Sequence, residues 1–340
     1  MNGWNDKLQY STFLGLLDAG LFAGLVSMGL GYLFRPRIRH GLVMCGYVVY
    51  ALYWGFWSVL YLTWEKNPTN AIFTVMGIGV FGYLAYHEYI NHKRHEYLTA
   101  MHWAAKGTAL TAFLYLMIER VQIVGGYIVY VTAWQTMKIM NWMGYEPKGV
   151  PIDLGTIIYK ADVGPSVPLN GSGIAIILAC TGIQAMILFA VFNIFLKADA
   201  RRKFYGFLIT VPVIYVANQF RNIAIIFLTE RNITLGITDK AFDFAHNWVG
   251  KGFSFLVLIG IVIYTFKLLP EALDNLFTLF DLHKRDKGKI IKGELVLPKK
   301  DEPTKDKDGK DENGKEEPTL DEAGTVEDEK EEPTEDMAAK

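Results

Sequence analysis

Apolar residues in this chain are gathered into runs far longer than a β-strand or an ordinary core helix needs. A run of about 20 such residues reaches across the hydrocarbon of a bilayer, so the pattern predicts an all-α integral membrane protein. Seven transmembrane helices are expected, at about 12–33, 41–63, 71–90, 101–119, 172–196, 204–228 and 247–266. Loops carrying Arg35, Arg37 and Arg39, then Lys93 and Arg94, then Lys197, Arg201, Arg202 and Lys203 alternate with loops poor in Lys and Arg. The positive-inside rule therefore puts the N-terminus outside and the C-terminus in the cytoplasm. The first run has full span length and no small-residue cleavage pattern after it, so it is expected to stay as an anchor.

One further apolar stretch, 120–144, breaks this count. If it crossed, Arg201, Arg202 and Lys203 would be outside; it is therefore read as an interfacial or re-entrant helix, with Trp134, Trp142 and Tyr145 at the headgroup boundary. Residues 146–171 carry Pro147, Pro151, Pro165 and Pro168 around the β-leaning run IDLGTIIYKADV, which predicts a small outer cap with a hairpin.

Composition changes the picture only at the far end. Hydrophobic residues make up 51% of the chain, but from Lys299 onward 17 acidic residues face eight lysines, a net charge of −9. EPT recurs there at Glu302, Glu317 and Glu332, so 299–340 is expected to be a disordered, solvating cytoplasmic tail behind a transmembrane domain of residues 1–298. Between them, Leu273, Leu276, Phe277, Phe280 and Leu282 are spaced as on an amphipathic juxtamembrane helix.

Three polar residues stand out at the same end of the last three spans: Cys180, Arg221 and His246. Counted along helices from Ser172 and Thr229, Cys180 and Arg221 each fall about 12 Å below one surface. Counting back from Phe266 brings His246 to that surface as well. A thiol becomes a good nucleophile as a thiolate, which a neighbouring cation or imidazole favours. Gln184 and Asn218 are expected on the faces of Cys180 and Arg221, Asp243 could orient the imidazole, and Lys251 adds a cation in the outer half of the last span. Cys45 lies near the opposite surface and cannot pair with Cys180. GxSxG, HExxH, CxxC and phosphate-loop motifs are absent, and His87, His92 and His95 read as interfacial charge, so neither cofactor nor metal is expected. Asn170 and Asn232 are sequons on the expected outer side. A transporter or channel, in which Arg221 and His246 bind an anion, and a non-catalytic lipid-binding assembly protein are the competing readings; the lack of an inverted repeat speaks against the first.

ACTGIQ around Cys180, NQFRNIAIIF around Arg221 and an outer-side His opening the last span resemble the archaeosortase and exosortase family over 171–255. That resemblance implies a membrane-embedded cysteine transpeptidase. Its partners would be secreted or surface proteins ending in a signature motif such as Pro-Gly-Phe, a transmembrane helix and a basic tail. A membrane phospholipid, implied to be an archaeal ether lipid, would receive the cleaved protein, and no nucleic acid is involved. Carried over, Cys180 matches the nucleophile, Arg221 the arginine and His246 the third catalytic position, with Lys251 as the alternative third group.

Overall fold

The computed structural model describes residues 4–32, 36–64, 68–145, 157–160, 164–169 and 174–287. The chain divides into two units, Met1–Pro298 and Lys299–Lys340. The acidic tail expected from Lys299 onward lies outside the described residues, as do Asn170 and residues 146–156 of the expected cap.

Four long helices come first: α1 (Trp4–Gly31), α2 (Pro36–Thr63), α3 (Pro68–Arg94) and α4 (Thr99–Arg120). Pro36 and Pro68 open their helices, where a missing N–H costs nothing and the fixed φ favours the first turn. Met28, Val43, Tyr47, Leu84, Met101 and Ala105 form their common core. Gly46 lets α1 and α2 close on each other, since a Cβ there would lie 1.9 Å from the Met28 side chain.

α5 (Gln122–Trp142) does not continue α4; the two are bent by 87° at Val121. That is the geometry of a broken span or a re-entrant segment, and it accords with the separate treatment of 120–144. A three-stranded antiparallel sheet follows, built from β1 (Ile158–Lys160), β2 (Gly164–Leu169) and β3 (Ile174–Ile177) in that order. Ser166 pairs with Ile158 and Ile177, and Leu169 pairs with Ile174.

Here the expectations need correction. The cap is a sheet rather than a two-stranded hairpin, and its third strand takes up residues assigned to the span 172–196. β-Branched Ile174 and Ile176 point inward and lock β3 against β2, and the helix begins only after Gly182, whose φ of 75° is left-handed. α6 (Ile183–Ile194) has 12 residues, about 18 Å of rise, and cannot cross a bilayer by itself.

α7 (Ala200–Glu230) is the longest helix. The short α8 (Ala241–Asp243) runs through a π-helical stretch, Phe244–Gly250, into α9 (Lys251–Leu268), so that Ala241–Leu268 forms one span-length helix. α10 (Pro270–Asp281) and a 3₁₀ turn (Leu282–Lys287) close the described chain. Four helices are both long and apolar enough to cross a membrane among the described residues, five if the bent pair is one span, and the protein is a mostly helical membrane protein.

The basic-loop ends of these helices gather at one end of the bundle. Lys197 donates to Thr99 at 3.3 Å, Arg202 forks onto Glu271, and Arg285 donates to Asn91 at 2.8 Å. Burial pushes the Glu271 carboxyl up, but the Arg202 hydrogen bonds, a backbone hydrogen bond and the Arg202 charge together outweigh it and hold it below the usual range. Asn91 in turn donates to Glu88, whose other oxygen lies 2.5 Å from His40 Nδ1.

Leu282 inserts into the α1–α4 core with no surface exposed, whereas Phe280, two residues before it, is 65% exposed. Leu282→Ala is therefore expected to cost about 2–5 kcal/mol and to lower the midpoint of thermal unfolding in detergent. Phe280→Ala is expected to leave that midpoint nearly unchanged.

Candidate active site

The C-terminal half of α7 is held rigidly before it reaches any functional group. Thr136 on α5 donates to buried Gln219 at 2.7 Å, and Tyr145 donates to Glu230 at 2.6 Å. Val129, Ala133 and Met140 of α5 and Val167, Ile174 and Ile176 of the sheet form one core with Ile223 and Ile226 of α7. The small sheet thus packs on α5 in the core that α5 shares with α7, and it delivers the chain to the Cys180 loop.

Cys180 is the last residue of a one-turn 3₁₀ helix, Leu178–Cys180. It does not lie within a transmembrane helix, as counting from Ser172 supposed; α6 starts three residues later, so the 12 Å depth does not apply and Gln184 shares no helix face with it. The loop is fixed from two sides. Thr181 donates its hydroxyl to the Leu178 carbonyl at 2.7 Å, and the Cys180 carbonyl accepts from both Asn218 at 2.5 Å and Asn222 at 2.9 Å. Gly182 completes the fit: a Cβ there would stand 3.2 Å from the Asn218 side chain, on top of its left-handed φ. Cys180 is half-buried, and both it and Cys45 are free thiols.

Asn218, Arg221 and Asn222 fall three and four residues apart and so share one helix face. The two amides that grip the Cys180 carbonyl therefore bring the guanidinium to the same loop. Arg221 forms no ion pair among the described residues.

His246 lies in the π-helical stretch, a local widening that inserts a residue into the helix and re-aims the side chains. Its ring stacks on Phe242, with centroids 5.4 Å apart and planes 15° from parallel. Arg221, Lys251 and Asp243 are all close enough to act on it electrostatically. Asp243 is not hydrogen-bonded to it, so the orienting contact is the aromatic stack rather than a carboxylate.

Two clefts meet at Arg221. One, of about 690 Å³, is lined by Ala179, Gly182, Gln184, Asn218, Asn247 and Lys251 around the guanidinium. The other, of about 610 Å³, runs past Met140, Tyr145, Phe227 and Phe253. The structure thus brings together the Cys180 loop, Gln184, Asn218, Arg221 and Lys251, while His246 and Asp243 stand on the helix that forms the wall, next to Asn247. No hydrogen bond joins the Cys180 thiol to Arg221 or His246. Asn222 was legible only as added polarity; its spacing of four from Asn218 was the signal that both could serve one acceptor. No group of three or more His, Cys, Asp or Glu residues able to hold a metal ion occurs among the described residues.

Known proteins share this chain's sequence. Archaeosortase A of Haloferax volcanii is 27% identical over 161 residues, which cover 44% of this chain and 52% of that protein. Archaeosortase A of Natronomonas pharaonis is 23% identical over 189 residues, 50% of this chain and 59% of that protein. The chain spans about half the length of the curated relatives it matches. No solved structure matches it. The family described as transmembrane exosortase matches residues 33–264, a stretch that contains α2 to α7, the Cys180 loop and His246, and the chain belongs to that exosortase and archaeosortase family.

Proposed function

We propose that this chain is a membrane-embedded cysteine transpeptidase that removes a C-terminal sorting signal, of the Pro-Gly-Phe type, from secreted proteins and transfers the new C-terminus to a membrane lipid. The observation that carries this reading is the grip of Asn218 and Asn222 on the Cys180 carbonyl, which fixes a free thiol on a loop whose Ala179 and Gly182 line the same cleft as Arg221, in a chain of this family. The proposed arrangement has seven crossings, at α1 to α4, in the region of α6, at α7 and at the helix Ala241–Leu268, with α5 in the outer interface; α1, α2, α7 and Ala241–Leu268 are each long and apolar enough to cross. The basic-loop end is then cytoplasmic, together with the tail after Lys299, and the domain of residues 1–298 carries the chemistry on the outer side.

In this scheme His246 takes the Cys180 proton and the thiolate attacks the scissile carbonyl, opening its C=O bond to an oxyanion that Arg221 stabilises. Collapse of that intermediate breaks the C–N bond, His246 gives its proton to the departing amine, and a thioester remains. A lipid headgroup nucleophile then loses its proton to His246 and attacks the thioester. The C–S bond breaks, and the proton returns to the sulfur. Lys251 is the alternative third group if His246 serves only to position it. Asp243, Gln184 and Asn218 support these groups rather than react.

Cys180→Ser is expected to abolish processing, measured as loss of the substrate's C-terminal helix, in a protein that still inserts and folds. Cys45→Ser should be nearly silent, and normal processing by the Cys180 variant would discard the reading. Arg221→Lys keeps the charge but loses the planar fork, so trapping of the thioester with hydroxylamine on a Pro-Gly-Phe peptide should slow roughly 100-fold to 1000-fold. Trapping at the parent rate would reduce Arg221 to an anchor. Asn218→Ala, by removing one of the two donors to the Cys180 carbonyl, is expected to loosen the loop by about 1 kcal/mol and to raise the rate at which a maleimide alkylates Cys180.

A further inference from the structure

We propose that the cleft of about 690 Å³ beside the Cys180 loop is a binding site for one anionic phospholipid, with its phosphate between Arg221 and Lys251 and its chains along Ile214, Leu258 and Ile261. The reason begins with charge. Two cations and three amides, those of Gln184, Asn218 and Asn247, line the cleft, and no carboxylate does. Neither Arg221 nor Lys251 makes an ion pair with a described residue, although each lies within a span-length helix, where an unpaired cation is costly. At the opposite end of the bundle the corresponding charges have protein partners, as Arg202 has Glu271 and Arg285 has Asn91. An anion supplied from outside the chain would balance the two that do not.

The shape of the cleft then selects the kind of anion. Ile214 lies seven residues from Arg221 along α7, and Leu258 lies seven from Lys251 along α9, each about 10.5 Å farther toward the basic-loop end. The cleft is therefore polar at the level of the Cys180 loop and apolar for more than a helix turn below it. Its apolar end opens outward, where Leu258 and Phe255 are 40% and 63% exposed. A free phosphate or a soluble carboxylate would fill the polar end and leave the rest in contact with nothing of its own kind. A phospholipid matches both halves, and it can enter sideways from the bilayer. The second cleft at Arg221 has that one cation and is otherwise lined by Met140, Met143, Phe227 and Phe253, so it lacks the paired charges that would hold a phosphate.

This assignment separates the roles of the two cations. Arg221 touches both clefts, while Lys251 touches the lipid cleft alone and is a binding residue for the headgroup. That the bound lipid is also the acceptor rests on the transpeptidase reading; that it binds here does not.

The test uses the full chain reconstituted in phosphatidylcholine with a minor fraction of phosphatidylglycerol, then released into mild detergent for native mass spectrometry. The parent should carry one phosphatidylglycerol that added inorganic phosphate does not displace. Lys251→Gln should lower its retention about tenfold or more, as loss of a charge-assisted hydrogen bond implies, and Lys251→Arg should restore it. Leu258→Trp, on the exposed wall, should exclude the chains and lower retention without touching the charge. Retention at the parent level in both Lys251→Gln and Leu258→Trp, or displacement by inorganic phosphate, would overturn the site. In the Pro-Gly-Phe reaction, Lys251→Gln should lower the ratio of lipid-linked to hydrolysed product. A parent that binds the lipid as described yet forms no thioester would sink the transpeptidase reading and leave the lipid site standing. Thioester formation with unselective lipid retention would do the reverse.

Discussion

Two amides closing on one carbonyl organise the Cys180 end of this protein. Asn218 and Asn222 stand one turn apart on α7, and both donate to the Cys180 carbonyl across the interior of the bundle. Arg221, three residues from Asn218, lines the same cleft as Asn218, Ala179 and Gly182, so the contact that fixes the loop also sets it against the cleft of the guanidinium. The contact is close enough that a Cβ at Gly182 would press on the Asn218 side chain, and the backbone turn that glycine permits is what starts α6 where it does. Without the clamp, the thiol, the cation and the first turn of α6 would each have to be positioned separately.

The two ends of the bundle solve the electrostatic problem of a membrane in opposite ways. At the basic-loop end, His40, Glu88, Asn91 and Arg285 are all nearly inaccessible and bonded to one another. Such a network costs desolvation and returns a fixed arrangement of helices. At the other end, Arg221 and Lys251 border open clefts and have no acidic partner among the described residues. One end holds its helices in register, and the other keeps charge available.

Hydropathy made most of the helices legible, because runs such as 41–63 and 204–228 leave no other structure that satisfies the backbone in lipid. It failed at 172–182 for a reason contained in the residues themselves. IAIILA is equally apolar as a strand or a helix, and only pairing with β2, set by contacts outside the run, decides between them. The bend at Val121 was visible as an inconsistency in the charge pattern rather than as a kink, since no proline or glycine marks that position. The π-helical stretch at His246 had no signature at all, because it changes the spacing of side chains and not their identity. Span counting placed Cys180 inside a helix, whereas the thiol arrives on a loop, held by its own carbonyl.

The buried position of Leu282 has a consequence for how the chain is made. Its packing among the first four helices, the bond from Tyr83 to the Leu279 carbonyl and that from Arg285 to Asn91 join positions nearly 200 residues apart. The N-terminal bundle leaves the ribosome long before these partners exist, so during synthesis it sits in the bilayer with an empty slot and without the Arg285 donor to the Asn91 oxygen. Only after the final span has inserted and turned back does the missing piece arrive. Biogenesis of the whole domain therefore ends in a single closing event at the basic-loop surface, and a chain stalled before residue 282 stays recognisably incomplete to whatever inspects new membrane proteins there.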